Sequence, residues 1–263
     1  MEKKRYLDKR KVQLFLFCLF VVFTNISFAQ PSRTAVTNPT GIDLVGTAQQ
    51  AVAPENLSTT LTLVILITAL TLAPAILVLT TSFTRIIVVL AFLRQALATQ
   101  QTPPNQVLIG LALFLTMFIM MPTYERVNSE ALQPYIQQQM SQSEAFNRAL
   151  IPIREFMFKQ TRPQELKTML QISGRGRPNT PDDVPTHVLV PAFVLSELKT
   201  AFMIGFLLYI PFLIIDMVVA STLMSMGMMM LPPIFVSLPF KIILFVLVDG
   251  WTLVVGNLVR SFQ

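Results

Sequence analysis

The sequence predicts an all-α, polytopic-type membrane protein of broken helices and helical hairpins, with a helical extracytoplasmic domain inserted midway. Three observations predict it. The 263 residues are 53% hydrophobic and only 13% charged, with mean hydropathy +0.60. The apolar residues gather into long runs. Prolines and isolated charges punctuate those runs, and no internal repeat is visible.

The first segment carries Lys3, Lys4, Arg5, Lys9, Arg10 and Lys11 against Glu2 and Asp8, then an apolar stretch from Val12 to Phe23, then "SFA" at 27 to 29. A basic region, a short apolar core and small residues at the cut positions make a secretory signal, with cleavage expected after Ala29. The apolar run of about a dozen residues is short for a bilayer, which takes roughly 20. The formal charge of +6 suggests a nucleic-acid partner only until this segment is set aside. The six basic and two acidic residues account for +4 of it, which leaves +2.

A polar, variable extracytoplasmic lead fills 30–56. A first helical hairpin region, 57–122, contains apolar runs at 57–79 (interrupted by Pro74), 86–93 and 107–121. The polar block 123–186 is the predicted extracytoplasmic domain, and a second helical region occupies 187–263. Its apolar runs are 188–195, 200–215 with Pro211 inside, 217–231 and 234–259. Several are shorter than the roughly 17 to 25 residues of a simple spanning helix, so breaks are expected, Pro211 being one.

With the signal removed, the first helix runs inward and 81–106 becomes a cytoplasmic segment whose Arg85 and Arg94, unaccompanied by acids, satisfy the positive-inside rule. The next helix returns 123–186 to the outside. That block reads as helical. Ser141 and Glu144 have the spacing of a capping box, Phe146, Ala149, Leu150, Ile153, Phe156 and Met157 follow at helical period, Pro152 should kink or restart the helix, and Pro163 should open another that ends near Gly174.

Catalytic chemistry has little to stand on. The only cysteine, Cys18, lies in the signal, and His187 is the only histidine, so no thiol, HExxH site or Ser-His-Asp arrangement can be assembled. "GRGR" at 174–177 has neither the spacing nor the following helix of a phosphate loop. No enzyme activity, metal or cofactor is expected.

Five charges interrupt the apolar half: Glu197, Lys199, Asp216, Lys241 and Asp249. Each costs at least about 2.5 kcal/mol in an apolar environment without a partner or water. Glu197 and Lys199, two apart, face different sides of a helix, and Lys241 and Asp249 are about two turns apart, so neither pair can close on itself. The partners belong to other helices or other chains. These charges form either a proton or ion path, or a set of pairs that fix assembly. The second is favoured because no second carboxylate lies near either acid in sequence.

The stretch "LMSMGMMMLPP" at 223–233 holds Met224, Met226, Met228, Met229 and Met230 around Gly227 and ends at Pro232 and Pro233. Methionine is flexible and polarizable, and fills irregular gaps between helices or accepts partners of varied shape. Gly227 loosens the helix, and the prolines cannot continue it, so a loop or kink is expected there.

Five stretches in order, "TSFTRIIVVLAFLR" (81–94), "PPNQVLIGLALFLTMFIM" (103–120), "PAFVLSELKTAFMIGF" (191–206), "PFLIIDMVVASTLMSMGMMMLPP" (211–233) and "LPFKIILFVLVDGW" (238–251), resemble the FliP family of flagellar type III export-gate proteins, related to the SctR proteins of injectisomes. The resemblance implies a non-enzymatic channel subunit for unfolded flagellar proteins. It implies a pentameric homo-oligomer assembled with FliQ and FliR, joined by FlhA and FlhB, at the flagellar basal body of the bacterial inner membrane and largely on its periplasmic side. It also assigns Met228, Met229 and Met230, with Met224 and Met226, to a gasket that seals the idle channel and deforms around passing chains. A secondary transporter for small solutes or an ion-channel subunit is the competing reading; transporters commonly show two similar halves, and none are visible here.

Overall fold

The computed structural model describes residues 57–262 except 100, 175, 177, 179 and 229. The predicted signal with Ala29, and the lead at 30–56, lie outside the described residues. The chain divides into two compact units between Leu63 and Val64, and the packing below is that of the second. Among the described residues every regular element is a helix.

Helix α1 (Leu57–Leu79) runs through Pro74, and its described side chains from Leu61 to Ile76 are exposed. Helix α2 (Phe83–Ala96) is buried along one face through Ile86, Val89, Leu90, Leu93 and Ala96. Thus the segment whose charges were counted toward the positive-inside rule holds a core helix. Its Arg85 is 2% exposed, which removes it from the count of charges that face water. Helix α3 (Asn105–Val127) continues past Pro122 through a π-helical turn (Asn128–Leu132) into the short α4 (Gln133–Ile136). The wider turn directly precedes Pro134, whose missing N–H and ring disturb the preceding helical bonds.

Helix α5 (Gln142–Gln160) starts at Ser141, whose hydroxyl accepts the Glu144 N–H at 3.3 Å. The Glu144 carboxylate pairs with Arg148 at 2.7 Å, four residues on. Of the two outcomes expected at Pro152, a kink or a restart, the helix does not restart: it runs unbroken through the proline. Only the C-terminal half of the predicted apolar stripe is covered: Met157 is buried and Phe146 is exposed. Helix α6 (Pro163–Ile172) opens on Pro163 and is followed by Gly174 in the left-handed region, φ +66°, as expected of a proline start and glycine stop.

Helix α7 (Thr186–Ser225) is a single helix of 40 residues. The break expected at Pro211 is absent. A proline costs its helix one backbone bond and a local clash, and the helix continues through it with Phe212, the next residue, buried against Phe245 at a ring-centroid distance of 6.4 Å. Helix α8 (Pro233–Leu247) and helix α9 (Gly250–Arg260) meet at a 64° bend. Asp249 supplies the left-handed backbone there, φ 50° and ψ 52°. Gly250 is required by contact, since a Cβ on it would lie 2.2 Å from the Phe245 ring.

Two apolar clusters share Phe156. One is built from α2, α3, Ala201 and Phe212 of α7, Phe245 of α8, and Val254, Leu258 and Phe262 at the end of the chain. The other joins Met157, Leu170, Val184 and the start of α7 at Val188, Leu189 and Phe193. Arg154 closes the second, donating to the Thr186 hydroxyl and the Val184 carbonyl, each at 2.7 Å. Two described helices, Asn105–Ile136 and Thr186–Ser225, are long and apolar enough to cross a membrane, and the bent α8–α9 pair makes a third if taken as one span.

Candidate functional site: a methionine turn and its charged anchors

Helix α7 ends in a Schellman motif. The Met228 N–H reaches back to the Leu223 carbonyl and the Gly227 N–H to the Met224 carbonyl, each at 3.0 Å, with Gly227 at φ +77°. These two bonds satisfy carbonyls that every helix end leaves orphaned, and the conformation they need is one that glycine adopts without steric cost. So Gly227 stops the helix. The prolines act one step later: Pro232 caps α8 and Pro233 is its first residue.

The turn therefore throws its methionines outward. Met224 is 63% exposed, Met226 72%, Met228 43% and Met230 100%. Met229 lies outside the described residues. No described methionine of this turn packs into the chain's own core, so within one chain they are not filler. Gly227→Val should destabilise the α7 terminus by about 1 to 2 kcal/mol, because a β-branched residue must adopt the left-handed conformation there. Hydrogen exchange of the Met228 amide should speed up correspondingly; unchanged protection would show that the turn does not depend on Gly227.

Behind the turn, buried charges hold the helices. Lys241 on α8 is 1% exposed and donates to Asp216 on α7 at 2.6 Å and to the Ala96 carbonyl at the end of α2 at 3.3 Å. The Ser237 hydroxyl donates to the other Asp216 oxygen at 2.6 Å. Three helices are thereby tied together about two turns back from the methionine turn along α7 and α8, with both Asp216 oxygens used.

In the second anchor the sequence singled out Glu197 but not its partner, Arg85. Glu197, fully buried on α7, accepts from the Nε–H of Arg85 at 2.9 Å and from an Nη–H at 2.5 Å. The remaining Arg85 donors go to the Ser261 carbonyl at 2.8 Å, the Ser261 hydroxyl at 3.0 Å and Gln160 at 3.0 Å, and the guanidinium lies 3.8 Å from the Phe262 ring centroid. All five N–H groups of the fork are used. Gln160 completes the circuit by donating to the Phe262 carbonyl at 3.0 Å. The signal for Arg85 was present, an ionisable residue opening an apolar run, but counting it toward the positive-inside rule hid it.

Lys199 pairs with Glu165 of α6 at 2.7 Å, and this hydrogen bond holds the Glu165 carboxyl below its usual range. Arg126 of α3 does the same to Glu155 of α5. Asp249 stands at the α8–α9 bend, far along α8 from Lys241, and the two do not meet. Among the described residues no group of histidine, cysteine and carboxylates is arranged to hold a metal ion.

Comparison with known proteins identifies the family. The model of the FliP family matches residues 66–258. The flagellar biosynthetic protein FliP of Bacillus subtilis is 58% identical over 209 residues, covering 80% of this chain and 95% of the relative. That of Borreliella burgdorferi is 46% identical over 252 residues, covering 95% and 98%. That of Aquifex aeolicus is 55% identical over 214 residues, covering 81% and 90%. The matched span contains the Arg85–Glu197 and Asp216–Lys241 anchors and the methionine turn between them, and with relatives of this similarity over nearly their whole length, the chain belongs to the FliP family.

Proposed function

We propose that this chain is a non-enzymatic core subunit of the flagellar type III export gate, forming with copies of itself the channel through which unfolded flagellar proteins leave the cytoplasm. The observation that carries the reading is the family match over 66–258. The exposed surface supports it. Helix α7 rises about 60 Å, twice the roughly 30 Å of a bilayer core, yet only 11% of its most apolar window is buried within the chain. Lipid can cover only part of such a helix, and the remainder asks for protein neighbours.

The neighbours we propose are a pentameric set of this chain with FliQ and FliR, joined by FlhA and FlhB, in the bacterial inner membrane at the basal body and largely on its periplasmic side. In that setting the methionine turn is the gate. Side chains of Met224, Met226, Met228, Met229 and Met230 from several copies would exclude water from a constriction and yield to polypeptides of any sequence. The paired charges Glu197, Lys199, Asp216 and Lys241 fix the helices that carry the turn. The small-solute transporter or ion-channel reading finds no support among the relatives.

Supplying this chain to a motile bacterium that lacks its own FliP-family protein tests the function. Flagellar proteins should reappear in the medium and swimming should return. If the chain accumulates in the membrane, assembles with the host's other export subunits and still restores neither, the export reading fails.

A further inference from the structure

Four of the five charges in the apolar half are neutralised inside the chain: Glu197 by Arg85, Lys199 by Glu165, and Asp216 and Lys241 by each other. Asp249 is the exception. Among the described residues its carboxylate has no hydrogen bond or ion pair, while its backbone N–H and C=O are engaged with Val246 and Leu253. It stands at the 64° bend between α8 and α9, fixed by the Gly250 backbone packed under Phe245. Around it the surface is apolar and open: Val246, Leu247, Val248, Trp251 and Leu253 are 38 to 78% exposed.

An apolar patch of this kind is covered in a working membrane protein, and covering it strips water from the carboxylate. The cover must therefore bring a positive charge. We propose that the bend is the docking point for an apolar helix of a different chain, carrying one lysine or arginine that pairs with Asp249 across the interface. The inference rests on reading this protein as one subunit of a multi-chain gate.

Charge complementarity selects a different chain over a second copy. Of the cations on this chain's apolar helices, Arg85, Lys199 and Lys241 are each paired internally, Arg126 is held by Glu130 and Glu155, and Arg94 donates to the Asn105 side chain at 2.6 Å. The remaining cation, Arg260, ends α9 beside the polar Ser261 and is three turns from Asp249 on the same helix. Among the described residues, the one unengaged cation that a second copy offers on these helices is Arg260, and it lies at a polar helix end and not within an apolar face. A partner that offers a cation within an apolar face gains an interaction here that a purely apolar helix lacks, and this distinguishes the right neighbour from the wrong one.

The test uses cells that express the full export apparatus. A photoreactive amino acid at Leu253, which shares the helical face of Asp249 four residues on, is cross-linked and the adduct is identified by mass spectrometry. In parallel, the complex is recovered with Asp249→Asn and Asp249→Lys. We expect an adduct to another membrane subunit at a helix holding a lysine or arginine. We expect both variants to lower complex recovery by about tenfold or more, and the reciprocal exchange of Asp249→Lys with that cation→Asp to restore it. The emission of Trp251, the sole tryptophan, should be the same in the isolated Asp249→Asn chain as in the unmodified chain, which separates lost docking from lost folding. Normal assembly of both variants, an adduct only to a second copy, or an adduct helix without a cation would overturn the proposal. If the unmodified chain recovers no other subunit at all, the export-gate reading fails first and takes this one with it.

Discussion

Arg85→Met should destabilise the chain by about 3 to 5 kcal/mol, the range for breaking a buried ion pair by removing one partner. The size follows from what is left behind. Glu197 is fully buried and would keep its charge with no cation near it, or take up a proton at a cost in free energy. Gln160 and Ser261 would lose their shared donor, and the stacking of the guanidinium on Phe262 would go with it. Because these groups come from α2, α5, α7 and the segment after α9, one substitution loosens four parts of the fold together. The measurement is the thermal or denaturant midpoint of the detergent-solubilised chain. Pairing Arg85→Met with Glu197→Leu should recover most of the loss, since an apolar pair carries no unmatched charge. A single variant as stable as the unmodified chain would show that water reaches Glu197 and that the anchor carries little.

Shortening Met228, Met229 and Met230 together to Ala should leave the complex assembled and make it leak. In a core, each Met→Ala change costs about 2 to 5 kcal/mol. Met228 is 43% exposed and Met230 fully so, and truncating exposed side chains changes stability by about 0.5 kcal/mol or less each. The fold should therefore survive the triple change. What is lost is apolar material around the constriction, repeated in every copy, and with it the dewetting that holds ions back. Conductance across a membrane carrying the assembled variant, against the unmodified complex, decides the matter. An intact variant that does not conduct would sink the seal, and a collapse of oligomer yield without conductance would mean that neighbouring subunits use these methionines for packing.

The sequence by itself determined the features whose causes are local. The all-helical class follows from the apolar runs, and helix punctuation was legible wherever one residue decides it. Ser141 caps α5, Pro163 opens α6, and Gly227 turns the chain at the methionine stretch, because each cap depends on dihedrals and donors within a few residues. The methionine stretch was visible in the composition, but read alone it fitted gap-filling as well, and its reading as a gasket came from the resemblance to the FliP family. Pro211 misled because the effect of a proline is not local. Pro152 and Pro211 each remove one backbone bond, and whether a helix then breaks depends on what presses on it from outside.

Partner choice was decided only by the tertiary structure. Helical spacing shows that Glu197 and Lys199 cannot satisfy each other, and it says nothing of who can. Glu197 finds Arg85 across 112 residues of sequence, and Lys241 finds Asp216 across 25. A helix sets the face on which a charge lies, but the neighbour on that face is set by how distant helices pack, and a buried ion pair is worth having only when both partners arrive in hydrogen-bonding geometry. The same packing buried Arg85, which charge counting had set on the membrane's positive side, and left Asp249 as the one charge of the five whose side chain has no partner among the described residues.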